Sequence, residues 1–474
     1  MKFGLEIQVI ENIISVLEQH PKVDKAFVFG SRAKGNYRPD SDIDIAIKGN
    51  EITTDDIIAI SVAIETIGIT HKFDIIDYNS IKEPALKEHI DRVGIEFYSR
   101  WKEYKLDEIA EIHNAKRKPL SSMQRETRKG CFPYYGASGI IDNINDYLFD
   151  GEYVLISEDG ENLSSRQTPI AFKATGKFWV NNHAHIVRGK DDHLNDLIIY
   201  FFAGLDLTPY ITGAVQPKLS KENLLSIPIW LPKSIQEQAA IASILSSLDD
   251  KIDLLNRQNK TLEQLAETLF RQWFVEEAEE SWETVAVGSF VKTNIKTITK
   301  EYSFQEIEYL DTSSLTEGII TETKKIFLKD APSRAKRLVQ NNDILISTVR
   351  PDQKHYGIIN NPAKNLVVST GFCVITCTKI NPYFIYLLLT SNEMTQYLHS
   401  IAEGSTSTYP SLKPSDIEKI EFSKPPMSRI IKFGNLAANY WTKIHNNQTQ
   451  IRTLIQTRNT LLPRLMSGEV RVEM

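Results

Sequence analysis

Apolar residues recur along 234–274 with helical spacing. Ile241, Leu248, Leu255, Leu262 and Leu269 mark every seventh position, and Ile244, Leu245, Ile252, Leu265 and Trp273 widen them into a stripe. No Gly or Pro interrupts the run, so the pattern predicts one long amphipathic helix. A stripe of that length exposes more apolar surface than one loop can cover, and it requires a partner helix of similar length. The pattern returns over 430–466. Laying Lys251-Ile252 on Lys443-Ile444 brings Gln258, Thr261, Leu262, Gln264, Thr268 and Leu269 onto Gln450, Thr453, Leu454, Gln456, Thr460 and Leu461 without a gap. Two unrelated core helices would share leucine spacing but not these polar positions, so the chain contains an internal repeat.

The stretches leading into the two helices also correspond. Trp101 with Leu106 and Ile109 matches Trp282 with Val287 and Phe290, and Leu155-Ile156-Ser157 falls on Leu345-Ile346-Ser347. Pro217, Leu219, Ile227 and Pro232 stand opposite Pro410, Leu412, Ile420 and Pro425. Short apolar runs separated by Gly and Asn turns predict a mixed α/β domain in each copy. The expected class is therefore an α/β (α+β) multidomain chain. Its expected divisions are 1–99, a first repeated domain over 100–232, a central spacer helix over 233–280, a second repeated domain over 281–425, and a distal helix with tail over 426–474.

The first hundred residues have a different texture and carry the sharpest chemistry. In GSRAKGNYRPDSDIDIAI, Gly30-Ser31 precede Asp42 and Asp44 by ten intervening residues. Two aspartates at i and i+2 on a strand share a face, where a divalent cation offsets their mutual repulsion. A Gly-Ser turn opening a helix offers N–H groups and a hydroxyl to phosphate oxygens. The strand KFDIIDY supplies a third carboxylate, Asp74, with Asp77 as the alternative. This constellation resembles the nucleotidyltransferase superfamily that includes DNA polymerase beta, in its minimal bacterial form, over roughly the first hundred residues. The resemblance implies that Gly30 and Ser31, with Arg32 beside them, hold a nucleoside triphosphate. It implies that Asp42 and Asp44 ligate Mg2+ and that Asp74 completes the metal site and assists the attacking hydroxyl. Minimal members of that superfamily are often paired with a helical toxin-like partner.

The remainder, from about residue 99 to the C-terminus, resembles the specificity subunit of type I DNA restriction-modification systems. The resemblance rests on the ordered repeat, on YYGASGIIDNINDYLFDGEYVLISEDG, ITGAVQPKLS, ISTVRPDQKHYG, GSTSTYPSLK and LLPRLMSGEV. It implies two target-recognition domains, separated by two long antiparallel coiled-coil helices, each reading one half of a split site in double-stranded DNA. It also implies that the helices dock two methyltransferase subunits, and through the complex the restriction/translocase subunits. Candidate DNA contacts are Gly136, Ser138, Gly160, Gln216 and Lys218 in the first half and Arg350, Lys354, Ser405, Thr406 and Tyr409 in the second. The nucleotidyltransferase-like module in front departs from the usual subunit.

Composition narrows this picture without redirecting it. At 474 residues, 41% apolar and 24% charged, the chain has room for about three domains of ordinary size. A net charge of −6 argues against a wholly electrostatic nucleic-acid binder and leaves room for local basic clusters. These are Lys116-Arg117-Lys118 with Arg125, Arg128 and Lys129, and Lys324-Lys325 with Arg334, Lys336 and Arg337. Each alone is more often a solvated loop than a DNA site. No apolar run reaches membrane-spanning length, and a cytoplasmic protein with no membrane partner is expected. Cys131, Cys373 and Cys377 form neither a disulfide framework nor a zinc set. Asn381-Pro382-Tyr383-Phe384 resembles a methyltransferase tetrapeptide but lacks its second proline, and an Asn N-cap followed by Pro at the first helical position explains it better. His183 and His185 alternate on one strand face without accompanying ligands, which favours satisfied or DNA-facing histidines over a metal site. The rival reading makes the chain chiefly a nucleotidyltransferase that modifies a protein or RNA bound by the repeat domains.

The helical pattern generates a geometric test. About 40 helical residues at roughly 1.5 Å each form a ruler of about 60 Å, which spans at most about 17 base pairs of duplex. Inserting four residues between Asn256 and Gln264, close to one turn, lengthens the ruler by roughly 6 Å and keeps the stripe nearly in phase. The preferred spacer should then grow by one or two base pairs with both half-sites unchanged. Mapping modified sites for parent and variant checks this, and efficient use of the unchanged spacer would refute the ruler.

Overall fold

A computed structural model describes residues 2–68, 71–213, 216–404 and 410–472. These divide into two units, one of 1–250 with 454–474 and one of 251–453. The first unit begins with a four-stranded sheet in the order Phe73–Asp77, Ile43–Gly49, Val23–Val28, Ile95–Ser99. Alternation in Ile43–Gly49 decides its two faces: Ile43, Ile45 and Ile47 pack under the helices Ile7–Glu18 and Thr54–Thr66, while Ala46 meets Ile90 of Pro84–Val93. Thr53 caps Thr54–Thr66 reciprocally with Asp56, satisfying N–H groups that a helix start leaves open.

Beyond it, still in the first unit, lies a six-stranded sheet. Its order is Ala110–Ile112, Ala184–Gly189, Phe149–Ser157, Ala171–Val180, Lys129–Gly136, Gly139–Ile144. The pairing of Ala171–Val180 with Lys129–Gly136 is parallel. In the second unit the corresponding strands form two four-stranded sheets, with the parallel pairing recurring between Glu306–Leu310 and Leu366–Ser369. The run that is continuous in Phe149–Ser157 is broken there between Ala335–Leu338 and Ile344–Ser347, where Asn342 adopts φ +66°. Asparagine tolerates this left-handed turn better than most side chains. Both halves open on the same short ribbon: Trp101–Tyr104 pairs antiparallel with Ile229–Pro232, and Thr284–Ala286 with Glu421–Ser423.

The central helix is Ile235–Arg271, continued by a π turn over Gln272–Glu276, and the distal helix is Met427–Met466. Ile241, Leu245, Ile252 and Leu255 are buried as the spacing requires, whereas Leu265 is 46% exposed and lies off the buried stripe. Contacts within each unit show the helices running antiparallel. In the first unit Arg458 meets Asp249 at 2.7 Å. In the second, buried Asn447 donates to Asn259 at 2.8 Å, and the Phe433 ring lies 5.9 Å from Phe270 and 5.2 Å from Phe274. A buried amide pair is worth most in one register, because any slip strands both side chains in an apolar seam. Asn381 accepts from the Tyr383 N–H and precedes Pro382 at the head of Pro382–Thr390, so the tetrapeptide is a helix start. Cys373 and Cys377 share the strand Phe372–Cys377, and burial pushes both thiols up to about 12.

The N-terminal sheet is fastened within its unit by charges taken out of water. Arg100, at the end of that sheet, donates to Glu237 on the central helix at 2.7 Å and to the Pro21 carbonyl at 2.6 Å. The side chains are 9% and 3% exposed. From the C-terminal tail, Arg471 donates to Lys22 O at 2.7 Å and to Asp24. Removing one partner of a buried pair leaves an uncompensated charge. Glu237→Ala should therefore destabilise the first unit by about 3–5 kcal/mol, while Arg100→Met with Glu237→Leu should recover most of that loss. Urea unfolding followed on parent, single and double variants measures it; equal losses in single and double variants would show that the pair is not what holds the sheet in place.

Candidate carboxylate site and nucleic-acid edges

The parallel pairing of Ile43–Gly49 with Phe73–Asp77 sets Asp44 directly beside Asp74. Asp42 lies just ahead of the first strand. Burial holds the Asp44 carboxyl above its usual range, helped by the negative charges of Asp74 and Asp42 and opposed by Arg32. Asp77, the alternative to Asp74, turns to its own backbone and accepts from the Asn79 N–H. Gly30 adopts φ +70°, and a Cβ there would lie 2.0 Å from Asp44 Oδ2. Only glycine lets this turn close against the carboxylate. Ser31 follows it in the short helix Gly30–Lys34. Arg32 is buried, and its guanidinium donates to the carbonyls of Phe3, Ser41 and Asp42. It positions the loop that delivers Asp42 and is not turned toward a phosphate. Among the described residues no three His, Cys, Asp or Glu side chains stand close enough to form a finished metal cage. The residues present nonetheless fit a divalent cation in kind: three oxygen donors, one held uncomfortably charged, beside a turn with no side chain.

In the first half, four segments meet at one edge. The N–H of Leu219 donates to Glu158 O at 2.7 Å, and that of Gly160 to Pro217 O at 3.1 Å. Gly160 has φ +107°. The Glu158 N–H donates to His183 O at 2.9 Å, and Ser157 Oγ donates to Ala137 O at 2.6 Å, drawing in the exposed turn that carries Ser138. Gln216 is exposed, and Lys218 lies with its Nζ 3.5 Å from Glu158 Oε1. Of the five sequence candidates in this half, Ser138, Gly160, Gln216 and Lys218 gather here. Gly136 is buried, its Cα facing Ile141 at a distance that would put a Cβ 3.1 Å from Cγ2, so its part is packing.

Sequence reasoning missed the network beneath this edge. Arg117 donates to Glu158 and to the carbonyls of Asn182 and Ala184. Burial works to raise the Glu158 carboxyl, but the hydrogen bond and charge of Arg117, with the charge of Lys218, outweigh it and hold the pKa low. His185 is fully buried; its Nε2 lies 2.8 Å from Leu219 O and its Nδ1 2.8 Å from Asn114 Nδ2. Those partners fix the neutral Nε2–H tautomer, in keeping with the lowering of its pKa by burial. The basic clusters dissolve in the same way: Arg125 and Lys129 pair with Asp142, and Arg128 with Asp146. No local spacing announces partners so distant in sequence.

The second half repeats three main-chain bonds of this edge, while Ser347 Oγ, in the place of Ser157, turns to its own segment and donates to Val349 O at 2.8 Å. Leu412 N–H donates to Thr348 O at 2.7 Å, Arg350 N–H to Pro410 O at 3.1 Å, and Thr348 N–H to Gly371 O at 2.8 Å. Arg350 thus occupies the place of Gly160, also left-handed, with φ +50°. Lys354 is turned to Glu317 Oε1 at 3.0 Å and Asn392 Oδ1 at 3.2 Å, so its ammonium is engaged within the protein. Ser405, Thr406 and Tyr409 lie outside the described residues.

Two family models match the chain. The type I restriction modification DNA specificity domain matches residues 98–264 and 279–450, and the polymerase beta nucleotidyltransferase model matches residues 11–103. The MjaIX type I restriction enzyme specificity subunit of Methanocaldococcus jannaschii is 28% identical over 343 residues, 66% of this chain and 78% of that one. A type I specificity subunit of Haemophilus influenzae is 40% identical over 143 residues, 30% of this chain and 36% of the relative. The crystal structure of a type I restriction-modification S subunit from M. genitalium aligns with a TM-score of 0.54 at 15% identity, over 79% of this chain and 96% of that one. The last likeness is one of fold.

The raised pKa of Asp44 carries a stability consequence with a definite sign. Between the ordinary aspartate pKa and the raised one, the folded chain binds more protons than the unfolded chain, so stability falls as pH rises through that window. Asp44→Asn removes the strained charge and should melt higher than the parent at neutral pH. The gap should close below about pH 4, where the parent carboxyl is protonated in both states. Melting curves across pH check this; an unchanged gap at low pH would sink the electrostatic account.

Proposed function

On the premise that the chain belongs to the type I restriction-modification DNA specificity family, we propose that it is the sequence-specific DNA-binding subunit of such a complex. Each repeated half reads one part of a split, asymmetric site through its edge. The observation that carries this reading is the pair of equivalent edges: one main-chain scaffold presents Asp159, Gly160 and Lys218 in the first half and Val349, Arg350 and Ser411 in the second. A shared scaffold with different side chains is what two unlike half-sites require, since phosphate contacts position a protein while side chains at base edges specify. The long helices, with Leu265, Leu254 and Ile431 exposed along them, offer surface for methyltransferase subunits, through which the restriction subunits join. The N-terminal module is a metal-dependent nucleotidyltransferase in design. Gly30 and Ser31 would receive the triphosphate, and Asp42, Asp44 and Asp74 are the residues that would hold Mg2+, which when bound would supply Lewis-acid stabilisation of phosphoryl charge. The buried Arg32 holds the loop in place. A helical toxin-like protein is the partner this module would meet.

Purified with a methyltransferase partner, the chain should form a stable complex that protects specific duplex DNA. Asp42→Asn with Asp44→Asn should abolish label transfer from a nucleoside triphosphate without altering that footprint. A chain that protects no specific duplex yet transfers nucleotide to a protein or RNA would establish the rival enzymatic reading instead.

A further inference from the structure

The repeat allows side chains that build the edge to be separated from side chains that the edge displays. The bond from Glu158 N–H to His183 O corresponds to that from Thr348 N–H to Gly371 O. The turn behind it corresponds too: the His183 N–H donates to Asn181 Oδ1 at 2.8 Å, and the Gly371 N–H to Ser369 Oγ at 3.2 Å. His183 and Gly371 therefore hold one position of the scaffold. At Gly371 a Cβ would lie 2.8 Å from Thr312 Cγ2, so the second half has no room for a side chain there. Main-chain bonding is satisfied without one, and the imidazole is an addition peculiar to the first half.

That imidazole is exposed and yet held. Its Nδ1 lies 2.8 and 2.9 Å from the two oxygens of Asp159, and the side chains are 46% and 17% exposed. Arg117, through the carbonyls of Asn182 and Ala184, fixes the turn on both sides of it. Fixing a surface side chain costs rotamer entropy, which a solvated histidine has no reason to bear. Val349 replaces Asp159 in the second half, so histidine and carboxylate are both absent where one is absent. A carboxylate on Nδ1 places the ring proton there and leaves Nε2 as the outward group. In the neutral ring Nε2 accepts a hydrogen bond, which matches the exocyclic amino group that adenine or cytosine presents in the major groove.

We propose that His183, oriented by Asp159, reads an amino-bearing base in the half-site recognised by the first repeat. This rests on the DNA-binding reading above. The test uses the full chain with its methyltransferase partner and selection of bound duplexes from a randomised pool. For the parent, a split site should emerge. His183→Ala should relax one position of one half-site, with discrimination there falling about five- to 150-fold, the worth of one good base contact. The other half-site and the spacer should remain as they are. Asp159→Asn, which keeps the ring but loosens its orientation, should relax the same position less. If the parent selects a split site and both variants select it unchanged, the assignment of His183 is wrong while the DNA-binding reading stands. If the parent selects no site at all, both fall together. Uniform weakening over every position would make His183 a phosphate contact and also overturn the assignment.

Discussion

The arrangement depends first on hiding the apolar stripe of the central helix. A run of 37 helical residues cannot leave Ile241, Leu245, Ile252 and Leu255 in water, since each large side chain buried is worth about 1.5–3 kcal/mol. Ile241 and Leu245 are buried in the core of the first repeated domain, which Leu465 of the distal helix shares, and polar contacts fix the register of the two helices. Asp249 with Arg458 and Asn259 with Asn447 each tie a residue of one helix to its antiparallel counterpart. Apolar packing alone tolerates sliding; a buried amide pair does not. The register is thus set by polar pairs that lie outside the matched positions of the repeat: Asn259 falls on Ile451 and Asn447 on Leu255.

Periodicity made the helices legible because burial imposes it directly on local spacing. The carboxylate site was legible for a similar reason: a tight turn, a strand and a neighbouring parallel strand confine Gly30, Asp44 and Asp74 to choices that short motifs record. Asn381 announced its helix start because capping is local. What the sequence did not disclose was settled by residues far apart. Arg32 resembles a phosphate ligand until Phe3, Ser41 and Asp42 are seen to take its donors. Arg100 and Glu237 stand 137 positions apart, and no pattern on either side predicts their meeting. The basic cluster around Arg125 loses its apparent meaning once Asp142 is folded beside it. Leu265 misled through spacing alone, since position along a stripe fixes direction but not what lies opposite.

Internal duplication supplies what a single sequence otherwise lacks, a comparison. Main-chain bonds that recur in both halves, such as Leu219 to Glu158 and Leu412 to Thr348, define a scaffold by geometry without reference to any other protein. Side chains that differ on that scaffold are released from structural duty at those points. This is why Gly160 and Arg350 can share a left-handed position despite their chemistry: the backbone bond to a proline carbonyl holds the turn in both, and the strain of a non-glycine residue at Arg350 is borne by that bond and the packing around it.

The N-terminal module bears on all of this through its attachment. A domain joined by a mobile linker would leave the specificity fold free to behave as if it were absent. Here the junction itself is buried: Arg100 ends the N-terminal sheet, faces Glu237 at the start of the central helix, and shares the Pro21 carbonyl with Arg471 of the tail. Three parts of the first unit converge on one cluster, and each supplies a charge that the others neutralise. Removing two charges from water is costly and yields little net stability, but it strongly penalises any arrangement in which one of them loses its partner. The cluster therefore acts as a specificity device within the unit. It ties the N-terminal sheet that carries Asp44 to the start of the central helix and to the C-terminal tail, so that these parts of the first unit hold one arrangement.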